Sequence, residues 1–155
     1  MIGEVRFFVC GIPAPKGSMR AFVSRGSRRV VMVHDNVRTK PWSEAVGWAA
    51  RAAICVSPSK KPMGVWLDFT MPRPASHSTS TGKLRKGAPQ WPVAKRDLDK
   101  LVRAVLDALT GIAWVDDGQV VRVHAAKHYQ DSANPLLASV GCLVRLVELH
   151  EEGSA

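Results

Sequence analysis

The sequence predicts a small mixed α/β domain: a single domain over residues 1–155, built on a mixed sheet, with roughly six strands and two main helices in all. Two stretches carry apolar residues at helical spacing. Several short runs rich in β-branched and aromatic residues are bounded by turn formers. The length and a hydrophobic content of 46% suit one core of ordinary size, without repeats or a second domain.

The elements follow in order. Val5 to Cys10 reads as a strand, ending in the stiff turn Gly11-Ile12-Pro13-Ala14-Pro15-Lys16-Gly17. Ala21 to Ser24 and Arg29 to His34 read as short strands, with Arg25-Gly26-Ser27-Arg28 as their hairpin turn. Pro41 to Ile54 reads as a helix, because Trp42, Val46, Ala49, Ala50 and Ala53 share its spacing and Pro41 sits near the first turn. Val65 to Met71 is the next strand. Pro72 to Arg96 then reads as a long, basic, flexible loop with four prolines, six Lys or Arg and no acidic residue. Asp97 to Leu109 is the clearest helix. Leu98, Leu101, Val102, Val105 and Leu109 form its apolar stripe, and Gly111 is its stop signal. Gln119 to Tyr129 and Ser139 to Val147 read as the last strands, and His150 to Ala155 as a frayed tail. Two helices are too few to cover both faces of the sheet, so one face is expected to be partly open or shared with a second subunit.

Lys and Arg total 22 against 13 Asp and Glu, a formal net charge of +9. Such a balance on a small domain favours a polyanionic partner, nucleic acid before an anionic membrane surface. Cys10, Cys55 and Cys142 are odd in number and scattered. They read as buried free thiols in a reducing cytoplasm, not as a disulfide framework or zinc site. Glu4 and Arg6 interrupt any leader-like start, and Arg145 and Glu148 break the longest apolar tract. No membrane partner is expected.

Five of the 13 acidic residues fall between Asp97 and Asp117, a local reversal of sign in a basic chain. Asp97 and Asp99 open a helix, where capping alone would explain them. Asp116-Asp117-Gly118 would serve equally as a turn. Taken together the two patterns point to metal ligation, provided that the fold brings Asp117 towards the Asp97 end of the helix. Carboxylates gathered in one place repel, and a hard divalent cation relieves this: Mg²⁺, with Mn²⁺ as a substitute. Such an ion can orient a water, lower its pKa and stabilise the leaving oxygen of a phosphodiester. Asp97, Asp99 and Asp117 are therefore the candidate ligands, with Asp116 as a further one. Arg103 lies four residues from both Asp99 and Asp107, so it reads either as an ion-pair ladder or as a cation aimed at phosphate.

Among the basic residues, Lys16, Arg20, Arg25, Arg28 and Arg29 form an early cluster suited to phosphate contact. Lys83, Arg85, Lys86, Lys95 and Arg96 extend that surface through the long loop. Trp91, between Pro89 and Pro92, reads either as a core anchor or as a platform on which an unpaired base could stack. The other four tryptophans are expected in the core. The five histidines show no metal spacing. Gly11 to Gly17 lacks the Lys-Ser or Lys-Thr of a phosphate loop, so no nucleotide cofactor is expected. An Asp-x-Asp also occurs in sugar-nucleotide transferases, for which the chain is short.

The run Arg96-Asp97-Leu98-Asp99-Lys100-Leu101-Val102-Arg103 to Asp107-Ala108-Leu109, followed by Asp116-Asp117-Gly118-Gln119-Val120, resembles the RusA family of Holliday junction resolvases. Gly11-Ile12-Pro13-Ala14-Pro15-Lys16 is similar to that family's opening, and Lys127 to a recurring Lys in the strand after the acidic pair. The resemblance implies a dimeric, Mg²⁺-dependent endonuclease acting on four-way DNA. Asp97, Asp99 and Asp117 would be its essential carboxylates, and Lys127 a DNA contact. Lys100 stands where Asn is usual in the family and Arg103 where the catalytic Lys is usual. Arg keeps the charge without easy proton exchange. The alternative is a non-catalytic branched-DNA-binding module of the same fold, to which an acidic cluster would offer nothing.

Overall fold

A computed structural model describes residues 1–17, 19–23, 30–34, 37–94 and 96–150. Six strands and two helices are present among them: β1 (Glu4–Cys10), β2 (Met19–Val23), β3 (Val30–His34), α1 (Thr39–Ala53), β4 (Met63–Met71), α2 (Leu98–Leu109), β5 (Val120–Tyr129) and β6 (Gly141–Glu148). Each expected element appears, with ends shifted by one or two residues. The Arg25–Arg28 turn lies outside the described residues.

The main sheet has the order β1-β6-β4-β5, and β2-β3 form a separate two-stranded ribbon. β6 pairs antiparallel with both β1 and β4, whereas β4 and β5 are parallel. A parallel pair needs a crossover, which here is the long loop followed by α2. Alternation sorts the strand residues between the two faces. Val65, Leu67, Phe69, Cys142, Val144, Leu146 and Val9 are buried with Trp42, Val46, Ala50, Leu101, Val105 and Leu109 of the helices in one core. At the β1–β6 corner only glycine fits, since a Cβ on Gly141 would stand 2.1 Å from the Val9 carbonyl oxygen.

The helices leave the opposite face uncovered, and its own side chains clothe it. Trp66 stacks on His124 at 5.2 Å, and the Arg145 guanidinium lies over the same ring at 4.7 Å. Arg145 also bonds Glu4 at 3.0 Å. Some expectations of burial fail. Cys10 and Cys55 are exposed and only Cys142 is buried; all three thiols are free. Burial, with the nearby Asp68 carboxylate, pushes the Cys142 thiol up. Trp42 and Trp114 are in the core, but Trp66 is half-buried on the outer face and Trp48 is 73% exposed on α1. Among the described residues no helix is long and apolar enough to cross a membrane.

Candidate functional site

Leu101, Ala104, Val105 and Leu109 turn the apolar face of α2 into the core. Asp99, Arg103 and Asp107 follow one another at four-residue intervals on its exposed side, so they share a strip of the helix. That strip forms one wall of a 470 Å³ cleft lined by Leu98, Asp99, Val102, Arg103, Leu106, Asp107, Asp117 and Ala125 of β5.

The alternatives left open by the sequence now separate. Asp97 occupies the position before the first helical residue, yet its side chain makes no capping bond; it pairs with Lys100 at 3.2 Å. Asp116 is the turn former, its Oδ1 accepting the Gly118 N–H at 2.8 Å. Asp117, beside it, has no such bond and lines the cleft. The Asp99–Arg103–Asp107 ladder does not form: the Asp107 carboxylate is taken by the Lys16 ammonium. Among the described residues, Arg103, Asp99 and Asp117 enter no ion pair or side-chain hydrogen bond.

The expected convergence of Asp117 with the Asp97 end is not found. Because β4 and β5 are parallel, α2 must run back along the sheet between them. Lys127, late in β5, donates to the Arg96 carbonyl at 3.1 Å and so marks the start of α2. Asp117 precedes the first residue of β5, towards the opposite end of the helix. A helix of 12 residues separates those ends by about 18 Å. Accordingly, no three Asp, Glu, His or Cys side chains among the described residues form a group able to hold a metal ion. What the cleft offers is two unpaired carboxylates, Asp99 and Asp117. They stand toward opposite ends of it, and either can serve Mg²⁺, which takes one or two protein carboxylates and fills its remaining positions with water and phosphate oxygen.

The basic residues distribute unevenly. Lys16 stands at the cleft, and its backbone N–H donates to the Lys100 carbonyl at 3.1 Å, so the proline-rich turn runs beside α2. Arg96 adopts φ 61°, a left-handed conformation uncommon outside glycine, and its carbonyl is the one Lys127 holds. Partial burial, then the charge of Arg38, bring the Arg96 guanidinium below its usual pKa; it stays cationic throughout the physiological range. Lys83, Arg85 and Lys86 are exposed on the long loop. That loop has a short helical turn at Ala75–His77 and a bridge between Ser78 and Leu84, and Arg85 Nε donates to the Ser78 carbonyl at 2.9 Å. Arg20 belongs to β2, while Arg25, Arg28, Arg29 and Lys95 lie outside the described residues. Trp91 is 54% exposed and tilts against His128 at 5.8 Å, so it is not a core anchor.

Two contacts escaped sequence reasoning. One is the Lys16–Asp107 pair, which joins residues 91 apart. The other is the amide of Gln119, four times hydrogen-bonded; its place directly after Asp116-Asp117-Gly118 was the available signal.

The family model described as Endodeoxyribonuclease RusA matches residues 13–136. The chain is also 28% identical over 129 residues to "Uncharacterized protein YqaN" of Bacillus subtilis (strain 168), covering 82% of this chain and 89% of that protein. The family match spans most of the sequence and includes Lys16, both walls of the cleft and the turn that carries Asp117; the chain therefore belongs to the RusA endodeoxyribonuclease family.

Proposed function

We propose that this protein is a Mg²⁺-dependent, structure-selective endodeoxyribonuclease. It resolves Holliday junctions and related branched DNA by paired, symmetric nicks in recombination and repair. The observation that carries the reading is the cleft, where Asp99, Asp117 and Arg103 have no ion-pair or side-chain hydrogen-bond partner among the described residues, in a chain of formal net charge +9. Free carboxylates on a surface otherwise suited to phosphate are unfavourable for simple DNA binding, which makes a non-catalytic module the weaker reading.

Asp97, Asp99 and Asp117 are the carboxylates that would hold Mg²⁺ or Mn²⁺, Asp97 and Asp99 at the start of α2 and Asp117 toward its other end. When bound, the ion orients water, lowers its pKa and stabilises the departing oxygen of the phosphodiester. Arg103 contributes fixed positive charge at the phosphate; a guanidinium stabilises charge but does not exchange a proton at working pH. Lys16, Arg96 and the exposed Lys83, Arg85 and Lys86 supply backbone attraction. Trp91 offers an exposed ring to an unpaired base. Nicking a two-fold junction symmetrically needs two such clefts, hence a homodimer; light scattering of the protein with and without junction should find a species of twice the 16.9 kDa chain.

The test is a labelled four-way junction incubated with and without Mg²⁺. Nicking should require the ion. Asp97→Asn, Asp99→Asn and Asp117→Asn should each lose nicking while keeping or strengthening junction binding, because each removes a ligand and also relieves phosphate repulsion. Full nicking by all three variants would refute the site.

A further inference from the structure

The turn presenting Asp117 is held by backbone bonds, among them Val115 N–H to the Ser59 carbonyl at 3.1 Å, by the Asp116 carboxylate, and by the side chain of Gln119. Gln119 Nε2 donates to the carbonyls of Ser59 and Lys61, both at 2.9 Å. Its Oε1 accepts the N–H groups of Val115 at 3.0 Å and Asp116 at 2.9 Å. A primary amide has two donor hydrogens and one oxygen with two lone pairs, so its capacity is fully used. The same four contacts fix its orientation, because the flipped amide would face N–H with N–H and oxygen with oxygen.

The segment that Gln119 grips is anchored in turn. Ser59 N–H donates to the Ala113 carbonyl at 2.9 Å, Leu149 N–H to the Pro62 carbonyl at 2.8 Å, and the Lys61 ammonium lies 3.9 Å from the buried carboxylate of Glu148 in β6. Gln119 therefore ties a segment fixed to the sheet to the two residues immediately before Asp117. Asp116 is spent on the turn itself, leaving Asp117 as the carboxylate the turn delivers to the cleft.

We propose that Gln119 is a positioning residue for the cleft: its saturated amide, bridging Ser59 and Lys61 to Val115 and Asp116, holds the Asp117 carboxylate where a divalent cation is bound. This rests on the reading of Asp117 as a metal-bearing carboxylate. Val115 to Gly118 are exposed, so without the amide the Asp116 N–H can turn to water while Val115 N–H keeps its bond to the Ser59 carbonyl at 3.1 Å. The fold then persists, but Asp117 loses its fixed place.

The experiment is calorimetric titration of Mn²⁺ into the full chain without DNA, for the parent, Asp117→Asn, Gln119→Met and Gln119→Glu. Thermal midpoints, junction binding in EDTA and the Mg²⁺ dependence of nicking are measured alongside. Gln119→Met removes all four bonds at similar volume; Gln119→Glu keeps the acceptors but cannot donate to both carbonyls. Both should bind Mn²⁺ about 10-fold or more weakly, as loss of a group orienting a metal ligand does. Half-maximal nicking should need correspondingly more Mg²⁺, with junction binding in EDTA unchanged. If Asp117→Asn loses Mn²⁺ but both Gln119 variants keep parental affinity and Mg²⁺ dependence, the role of Gln119 is overturned alone. Parental Mn²⁺ affinity in Asp117→Asn overturns the metal assignment and this inference with it. Failure of both Gln119 variants to fold also overturns it, since the amide would then be a requirement of the fold.

Discussion

Arg103→Ala separates the ion-pair ladder that helical spacing favoured from a phosphate-contact role. An ion-pair ladder with Asp99 and Asp107 would lose a few tenths of a kcal/mol per pair, about 0.5 kcal/mol in all. The structure removes that contribution, because Asp107 is engaged by Lys16 and Arg103 has no acidic partner among the described residues. Arg103 is exposed in the middle of α2, and alanine is slightly the better helix former, so stability should change by less than about 0.3 kcal/mol and in either direction. The effect on catalysis should be far larger. Removing one preorganised group that stabilises transition-state charge costs about 10²- to 10³-fold in rate, or roughly 3–4 kcal/mol. The assay is single-turnover nicking of a labelled four-way junction at saturating Mg²⁺, with urea denaturation of the same preparations. Arg103→Lys should retain most of the rate if charge alone matters, and should exceed the parent if a proton-exchanging group is better there. An Arg103→Ala protein that nicks at the parental rate would refute the phosphate-contact role. One that loses more than about 1 kcal/mol of stability would show a structural tie that the cleft geometry does not contain.

Other consequences can be checked in the same preparations. Lys100→Asn frees Asp97 from its 3.2 Å ion pair; because both partners are largely exposed, the Mg²⁺ concentration for half-maximal nicking should fall by only a few-fold. Junction binding in EDTA should weaken linearly on a log–log plot against salt, as counterion release requires, and binding indifferent to salt would remove the basic-surface argument. Gly141→Ala places a Cβ 2.1 Å from the Val9 carbonyl oxygen, so chemical denaturation should show a loss of about 1–3 kcal/mol from forced displacement of β1 or β6.

The sequence by itself determined what depends on near neighbours. The 3.6-residue spacing of Leu98, Leu101, Val102 and Val105 announces α2, and alternating or β-branched runs announce the strands, because burial of one side acts locally on the chain. The acidic island, the basic loop and the family resemblance are likewise linear features. The tertiary structure decided how those features meet. Parallel pairing of β4 with β5 reverses α2 between them, so Asp97 and Asp117 stand at opposite ends of a helix instead of closing on one another. Asp116 and Asp117 are chemically identical neighbours, and only the turn held by Gln119 assigns one to a backbone N–H and the other to the cleft. Lys16 reaches Asp107 across 91 residues, which released Arg103 from a ladder that helical spacing alone favoured. Trp48 lies on the solvent side of α1 although its composition suggested the core. In each case a partner distant in the chain sets the side chain's role, and that partner's position exists only once the sheet and its crossover have formed.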